Sequence, residues 1–348
     1  MTSGLIGRRG LLAGAGALAA LAGCGPTERS DKEIVFSILS TENSQNQEVL
    51  WRPFLADMEK QTGLKIKAFY APNYFALVTA LGAKQIDVGW FSNQSGLEAV
   101  RRANGEVFVR SSDPSGIDGY YSNIIVPASS TTTLEDVLRC DRRLSFSMGD
   151  PKSTSGTLAP MTFLFGPRKI DPDRCFKTVR SASHEANLQA VANGVIDVAT
   201  NNSTALRITG ENKPTVRARI RVIWTSPVLP EDPIIWRKDL NPAVKEKVRS
   251  FFLTYGTAEG AEGDRQRAIL EKLSFGVFKP ADDSHLLPVR EMEATGDLIE
   301  AKNKGDEVGV RRAEEKLAQI RREKAEVGDP STAAAPPPAA QPAPAPAQ

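Results

Sequence analysis

The chain has 348 residues and a formal net charge of +2, with 44 lysines and arginines against 42 aspartates and glutamates. This length is enough for two ordinary domains, and the apolar content of 41% is typical of globular proteins. The small positive excess is spread along the chain, and no basic block is interleaved with aromatic residues, so nothing indicates a nucleic-acid partner.

Residues 1–24 are typical of an export signal that ends in a lipid attachment site. Two arginines precede an apolar run, 11–21, which is too short and too rich in glycine to be a good membrane span. The signal ends in LAGC, which resembles a bacterial lipobox and implies cleavage before Cys24 and lipidation of that cysteine. The paired arginines match a twin-arginine export signal only in part. An ordinary export signal with an incidental cysteine is the alternative.

From residue 33 to residue 280, the pattern alternates between short apolar strands and helices. The predicted elements, in chain order, are strand 34–39, helix 47–60, strand 65–70, helix 75–81, strands 86–91, 106–110 and 120–126, helix 133–139, strand 144–148, helix 157–165, strand 176–180, helix 183–194, strands 196–200 and 221–225, and helix 241–256. Gly63 suits the end of the first helix. Strands spaced by helices indicate parallel sheets, and their number suits two α/β lobes better than one sheet.

Cys140 and Cys175 remain after Cys24 is assigned to the lipid anchor. They form an even pair in a chain predicted to reach an oxidising compartment, and each precedes a predicted strand. The sequence leaves two alternatives: a disulfide between the two cysteines, or two separate buried thiols. Neither cysteine has a histidine or cysteine at metal-ligand spacing, so we expect no metal site.

The C-terminal part has a different composition. Residues 291–327 are dense in Glu, Lys, Arg and Ala, which predicts a charged helical extension broken near Gly305, on the surface and without chemistry. Residues 328–348 are a Pro/Ala-rich tail, which we expect to be disordered or extended because it cannot bury apolar area.

Polar turns follow the predicted strands. In open α/β folds ligands bind beyond the carboxyl ends of strands, and these turns are rich in Ser, Thr, Asn and Tyr, which indicates binding more than bond-making. The turns are 40–46, 70–74, 92–95, 149–156, 182–185 and 201–204.

The turn GDPKSTSG places Ser153, Thr154 and Ser155 between a strand and an apolar helix. A helix start has backbone N–H groups without intrahelical partners, and these carry a partial positive charge. An oxyanion satisfies them, hydroxyls add donors, and Gly156 would let a ligand approach the backbone. An ordinary helix N-cap is the alternative for this stretch alone. His184 stands at a second such helix start, where a solvated surface histidine is the alternative.

Several ordered segments closely resemble the phosphonate-binding proteins of bacterial ABC importers. They are LSTENSQNQ, WRPFLADMEKQTGLKIKAFYAPNY, EAVRRANGEVF, GYYSNIIV, LSFSMGDPKSTSGTLAP, FKTVRSASHEANLQAVANGVIDVATNN, RVIWTSP and DPIIWRKDLNPAVKEKV. They run through nearly all of residues 33–252 and leave the last 58 residues, 291–348, uncovered.

The resemblance implies a type II periplasmic binding protein with two α/β lobes joined by two crossover strands. Lobe one would comprise 33–120 and 226–290, and lobe two 121–225, with crossings near 119–122 and 225–230. A lipid-anchored monomer without cofactor, exported to the periplasm or the outer face of the cytoplasmic membrane, would deliver its ligand to an ABC transporter permease.

The resemblance also implies roles for particular residues. The phosphonate oxygens would meet Ser153, Thr154 and Ser155 through hydroxyls and backbone N–H groups, and His184 would donate to them. The rest of the pocket would be formed by Tyr74, Tyr120, Thr204 and Asp232.

Thr204 departs from the pattern of family members that prefer 2-aminoethylphosphonate, in which an acidic residue stands at this position. A neutral hydroxyl cannot form the same ion pair with an ammonium group, and Asp232 would remain as a single anchor. From Thr204 alone we expect a weaker preference for amine-bearing ligands.

Three other functions differ in the sequence features that they require. An enzyme would need a nucleophile with an activating base, or a metal with its ligands, and the two histidines, His184 and His285, lie far apart in sequence. A sensing lipoprotein without a transporter finds support in the C-terminal extension. The same fold with phosphate, phosphite or another tetrahedral oxyanion stays open, because the polar turns do not separate these anions from phosphonates.

Overall fold

The computed structural model of the protein describes residues 32–116 and 118–328. The predicted export signal, 1–24, with its Cys24, lies outside the described residues, and so does the predicted tail beyond residue 328.

The first lobe is built from two separate parts of the chain. Its elements are β1 (Glu33–Ile38), α1 (Ser44–Thr62), β2 (Lys65–Tyr70), α2 (Tyr74–Gly82), β3 (Val88–Trp90), α3 (Asn93–Arg102) and β4 (Gly105–Arg110), followed after the second lobe by β10 (Pro233–Arg237), α9 (Pro242–Thr254), α10 (Ala261–Lys272) and β11 (Lys279–Pro280). The six strands pair in the order β11-β4-β10-β3-β1-β2. α1 ends at Gly63, which has a left-handed φ of 67°, as predicted.

The second lobe contains the intervening elements. They are β5 (Ser122–Pro127), α4 (Leu134–Leu138), β6 (Ser145–Met148), α5 (Pro172–Cys175), β7 (Thr178–Ser181), α6 (His184–Ala192), β8 (Val198–Asn202), α7 (Ser203–Asn212), α8 (Pro214–Arg217) and β9 (Ile220–Thr225). Five strands pair in the order β7-β6-β8-β5-β9. The predicted two-lobed α/β class is confirmed, whereas the residue-level lobe boundaries stay a prediction.

Two central strands run against the predicted parallel direction. β10 is antiparallel to β3 and β4, and β5 is antiparallel to β8 and β9. Each is the first strand after the chain crosses between lobes, so it enters its sheet from the end at which the neighbouring parallel strands leave. The prediction of parallel pairing is right for β1 with β2 and β3 and for β6 with β7 and β8.

The two crossings are paired to each other. The N–H of Tyr120 donates to the Leu229 carbonyl at 3.0 Å, and the N–H of Leu229 donates back at 2.8 Å. Gly119 has a φ of 151°, and a β-carbon there would lie 2.4 Å from the Leu229 carbonyl oxygen, so only glycine lets the strands approach this closely. A short two-stranded ribbon therefore connects the lobes, which is a suitable hinge.

Each lobe has its own core. Fully buried Phe36, Phe54 and Phe252 pack together in the first lobe. In the second lobe Phe146 and Phe176 stack with ring centroids 4.4 Å apart on one face of the sheet, and a separate apolar cluster covers the other face. Each lobe thus has the independent packing that hinge motion between two bodies requires.

Some predicted helices differ from the observed ones. The predicted helix 157–165 is instead two π-helical turns, Thr154–Leu158 and Met161–Phe165, so the helical backbone begins directly after Ser153. The helices α3, α7 and α10 were not predicted. Each is polar and contains a glycine, which weakens the apolar periodicity on which sequence assignment depends.

The C-terminal extension is not the surface appendage that its composition predicts. α11 (Leu287–Lys304) and α12 (Glu307–Glu326) form a hairpin whose turn has Gly305 at a φ of 69°. α11 contacts α3 in the first lobe and the π-helical turns in the second, and Val289 and Met292 join the first lobe's core. Among the described helices, none has the length and apolar content that a membrane crossing requires.

Cys140 and Cys175 form a disulfide with a sequence separation of 35 residues. Removing it with the double change Cys140→Ser and Cys175→Ser should lower the free energy of unfolding by about 2–4 kcal/mol, because a covalent loop restricts the unfolded chain. Urea denaturation of both proteins, with and without reductant, measures this. Reductant should destabilise the wild type and leave the variant unchanged; equal stability of the oxidised wild type and the variant would contradict the expectation.

Candidate ligand-binding site between the lobes

A cavity of about 50 Å³ lies between the two lobes. One water molecule needs roughly 10–15 Å³ by this measure, so the space admits only a few atoms of that size and suits a small ligand. All of the predicted ligand-binding side chains except Thr154 line it: Tyr74, Tyr120, Ser153, Ser155, His184, Thr204 and Asp232.

The predicted polar turns meet at this cavity. Each turn supplies at least one lining side chain. Thr41, Ser92 and Asn202 come from these turns, although the sequence did not single them out as site residues. The turns lie at the carboxyl ends of parallel strands in both lobes, and the cleft between the lobes brings these ends together. The strand-end rule and the structure therefore point to the same cavity, and its role as the ligand site stays a prediction.

The helical turn that begins at Thr154 has unsatisfied donors. Ser153 is an ordinary N-cap, since its Oγ accepts from the Gly156 N–H at 3.0 Å. The N–H groups of Thr154 and Ser155 have no hydrogen-bond partner in the part of the chain that the structure describes. The cap thus satisfies one donor of the first turn and leaves two available for an anion.

Gly156 has a different role from the one predicted. A β-carbon at Gly156 would lie 2.7 Å from the Gly149 α-carbon, and one at Gly149 would lie 2.6 Å from that of Gly156. The Gly149 N–H also donates to the Gly156 carbonyl at 2.9 Å. The two glycines are needed for this backbone contact, which closes the turn, rather than for close approach of a ligand.

The hydroxyl of Thr154 bridges the lobes. Its Oγ1 accepts from the backbone N–H of Gln94, in the first turn of α3, at 2.9 Å, and the residue is fully buried. This contact exists only while the lobes are together. It uses the hydroxyl oxygen as an acceptor, so the predicted donation by the Thr154 O–H to the ligand stays a prediction.

His184 is a buried, neutral histidine rather than a solvated one. The Oδ1 of Asn202 accepts from the Ala205 N–H at 2.7 Å, so its Nδ2 is the group that lies 3.2 Å from His184 Nε2 and donates to it. The ring proton is then on Nδ1, which is buried and has no partner among the described residues. Burial lowers the pKa of His184 to about 4. Its ring lies 3.5 Å from Ser153 Oγ, so the two helix starts converge.

Asp232, directly before β10, lines the cavity from the first lobe. The Trp90 Nε1–H and the Asn93 amide each donate to its carboxyl group at 3.2 Å, and the Tyr120 hydroxyl lies 3.5 Å away. Burial, together with the nearby Glu231, raises the pKa of Asp232 well above its usual range. Tyr120 is also buried, and so is Tyr74, with exposed fractions of 6% and 2%.

Among the cavity residues that sequence reasoning did not name, three have clear polar roles. Asn202 connects Ser155 Oγ, at 3.1 Å, with His184, and it lies in a turn that was identified without naming it. Trp90 ends β3 and orients Asp232. Glu231 is buried next to Asp232, and the available signal was an acidic pair directly before the apolar stretch PIIW.

The lobes contact each other around the cavity. Glu185 in the second lobe accepts from the Asn43 N–H at 2.9 Å and from the Asn46 amide at 2.7 Å in the first. On another side Arg207 donates to Asp113 at 2.6 Å. The structure thus has the lobes closed, and these contacts would be broken by opening.

The site lacks the parts of a hydrolytic centre. Ser153 and His184 are neighbours, but no carboxylate among the described residues orients the His184 ring. The described residues also contain no group of three or more His, Cys, Asp or Glu that could hold a metal ion.

The neutral state of His184 makes stability depend on pH. Its pKa is about 4 in the folded chain against 6.5 ordinarily, so the unfolded chain binds more protons between these values. Without ligand, the free energy of unfolding of the wild type relative to His184→Asn should fall by about 3 kcal/mol as the pH drops from about 6.5 to 4. Urea denaturation of both proteins across this range measures the difference, because the shared carboxylates cancel; parallel pH profiles would contradict the prediction.

Residues 36–286 match the sequence model of the family described as "ABC transporter, phosphonate, periplasmic substrate-binding protein". The phosphonates-binding periplasmic protein of Escherichia coli K12 is 39% identical over 280 residues, which cover 80% of this chain and 81% of that protein.

Comparison with solved structures gives similar proteins. The binding protein component of an ABC phosphonate transporter from Pseudomonas aeruginosa is 37% identical with a TM-score of 0.81, over 85% of this chain and 99% of that one. PhnD1 from Prochlorococcus marinus, solved in complex with methylphosphonate, is 20% identical with a TM-score of 0.65, over 80% and 100% of the chains, and supports the fold alone. The chain therefore belongs to the family of periplasmic substrate-binding proteins of phosphonate ABC transporters, which bind a solute for transport and are not enzymes.

Proposed function

We propose that this protein holds a phosphonate in the closed cleft, with the phosphonate group at the Ser153–Ser155 turn and the substituent directed toward Asp232. The observation that carries the proposal is the pair of free N–H groups at a helix start, next to a buried histidine donor, in a cavity of about 50 Å³. These groups suit a small, multiply charged oxyanion.

The phosphonate end binds charge with neutral donors. No lysine or arginine is among the lining residues, whereas hydroxyls of Ser153, Ser155, Tyr74 and Tyr120 are. The Nδ1–H of His184 adds a donor that has no other use. Hydrogen bonds to an anion are stronger than those between neutral groups, and several fixed donors together replace the water that the anion loses.

The substituent end contains Tyr120, Trp90, Thr204 and Asp232. Its small size favours a short substituent on phosphorus. The donors at the phosphonate end would bind phosphate and phosphite equally well. Discrimination among these anions therefore depends on the substituent end of the cavity.

Closure connects binding to delivery. A ligand that contacts both lobes stabilises the closed form, in which Glu185 and Arg207 reach the first lobe. We infer that the closed form docks on an ABC transporter permease, as a monomer, and that opening about the ribbon at Tyr120 and Leu229 releases the ligand.

Changes at the phosphonate end should weaken binding. His184→Ala removes a donor, and Thr154→Ala removes the partner of the Gln94 N–H in the closed form. Each should raise the dissociation constant for methylphosphonate by tenfold or more, about 1.4 kcal/mol.

Calorimetry with methylphosphonate measures these affinities. Thr79→Ala is the control, because Thr79 is an exposed helix residue whose hydroxyl donates only to the Phe75 carbonyl, and it should bind like the wild type. Unchanged affinity in both His184→Ala and Thr154→Ala would refute the assignment of the site.

We propose that the mature protein is tethered through a lipid on Cys24, which fits the LAGC sequence at 21–24. Cys24→Ser should move the protein from the membrane fraction to the soluble extracytoplasmic fraction while methylphosphonate affinity stays the same. Fractionation of cells that express each form tests this, and equal membrane association of both forms would contradict it.

A further inference from the structure

The two lobes repeat one arrangement of strands and helices. Phe36 is paired with Val88 in the first sheet and Phe146 with Val198 in the second, and each residue number of the second pair is 110 higher. The same shift relates α2 to α6 and α3 to α7 at both of their ends. A residue of one lobe can therefore be compared with its counterpart in the other.

Glu185 of the second lobe binds at the start of α1, which is the first-lobe counterpart of the helical turn that begins after Ser153. The caps of these two helical segments, Asn43 and Ser153, are at corresponding positions. Glu185 Oε2 accepts from the N–H and the Nδ2 of Asn43 at 2.9 and 2.8 Å, and its Oε1 accepts from the Asn46 Nδ2 at 2.7 Å. Because a helix start favours a negative group, this carboxylate suits its position.

Glu185 is oriented and ionised before it meets the first lobe. Lys213, which follows α7 in the same lobe, donates to Glu185 Oε1 at 2.8 Å. Burial raises the pKa of Glu185, but the hydrogen bonds from Lys213 and Asn43 more than offset this, and the net shift is downward. The neighbouring like charge is Glu42, whose pKa is raised by burial and by Glu185, and Lys213 acts against this repulsion.

The corresponding position in the first lobe has no carboxylate. Phe75 follows Tyr74 there, as Glu185 follows His184 in the second lobe, and both pairs are at the start of a helix. The Phe75 side chain is 66% exposed. Since an exposed apolar residue is compatible with this position, the repeated fold does not require an acidic one, and Glu185 calls for another explanation.

The partners of Glu185 in the first lobe do not need a ligand. Glu185 itself lines the cavity, but Asn43 and Asn46 are not among the described residues that line it. The Glu185 N–H also donates to the Thr41 carbonyl at 3.2 Å. These hydrogen bonds join the lobes to each other, so they stabilise the closed form whether or not the cavity is occupied.

We propose that Glu185 keeps part of the ligand-free protein closed, by serving as the anion of the first-lobe helix start. Its effect on affinity rests on the proposed function, whereas its effect on closure does not. If the ligand is held in the closed form, the apparent dissociation constant is that of the closed form divided by the closed fraction. Glu185 is therefore a positioning residue that sets affinity for every ligand of the cleft in the same proportion.

The test uses two variants that break the same contact from opposite sides. Glu185→Gln removes the charge and keeps the size, and Asn46→Ala removes a donor that lies outside the cavity lining. Glu48→Gln is the control, because its carboxylate binds Arg52 one turn further along α1 and both side chains are exposed. Thermal unfolding confirms that each variant is folded.

Small-angle X-ray scattering without ligand gives the radius of gyration, which falls as the lobes close. Calorimetry with methylphosphonate and with phosphite gives the affinities. Both measurements are made on the wild type, the two single variants, the double variant and the control.

We expect a larger radius of gyration for Glu185→Gln and for Asn46→Ala than for the wild type. Glu185→Gln should also raise the dissociation constant at least about fivefold, by the same factor for methylphosphonate and phosphite, since hydrogen bonds to a charged group are lost only from the closed form. The double variant should lose less than the sum of the single losses, because both changes remove one contact. The control should match the wild type.

Equal radii of gyration for the ligand-free wild type and Glu185→Gln would overturn the inference. Additive losses, a loss confined to one of the two anions, or an equal expansion in Glu48→Gln would overturn it as well. Failure of the wild type to bind either anion would instead refute the proposed function, and the scattering comparison would still decide the role of Glu185.

Discussion

The whole arrangement depends on keeping the N–H groups of Thr154 and Ser155 unpaired and fixed beside the cavity between the lobes. Two side-chain hydroxyls hydrogen-bond to carbonyls of the same turn. Ser122 Oγ donates to the Ser155 carbonyl at 2.6 Å, and Thr200 Oγ1 donates to the Gly156 carbonyl at 2.8 Å. Because these donors come from β5 and β8, the second sheet orients the turn. An anion then meets dipoles that need no reorganisation on binding, which is how neutral groups stabilise charge.

The same turn is the surface on which the first lobe closes. Ser92 Oγ donates to the Lys152 carbonyl at 2.9 Å, and the Tyr74 N–H donates to Asp150 at 3.1 Å. Thr154 adds its contact with Gln94. In the proposed function, occupation of the turn and closure of the lobes are coupled through this backbone segment, because a ligand there would contact both lobes only when they are together. α11 also packs on both lobes.

Sequence reasoning predicted the lobes and the polar turns well, because strand and helix periodicity and the strand-end rule are local or topological. It failed where a residue's role depends on which segment lies opposite. Gly156 was assigned to the ligand, although it contacts Gly149, and the contact of Thr154 with Gln94 across the cleft was not foreseen. The packing of α11 against both lobes was likewise hidden, since a charged composition does not reveal a narrow buried stripe.

Glu231 illustrates the same limit at the site. An acidic residue before a strand is ordinarily solvated, and only the tertiary structure shows that Ser111 and His285 hold it inside. Such a residue is expensive to bury, since each buried carboxyl group lowers stability unless a cation or proton compensates it. Burial raises the pKa of both Glu231 and Asp232, because an ionised carboxylate is poorly stabilised where water is excluded.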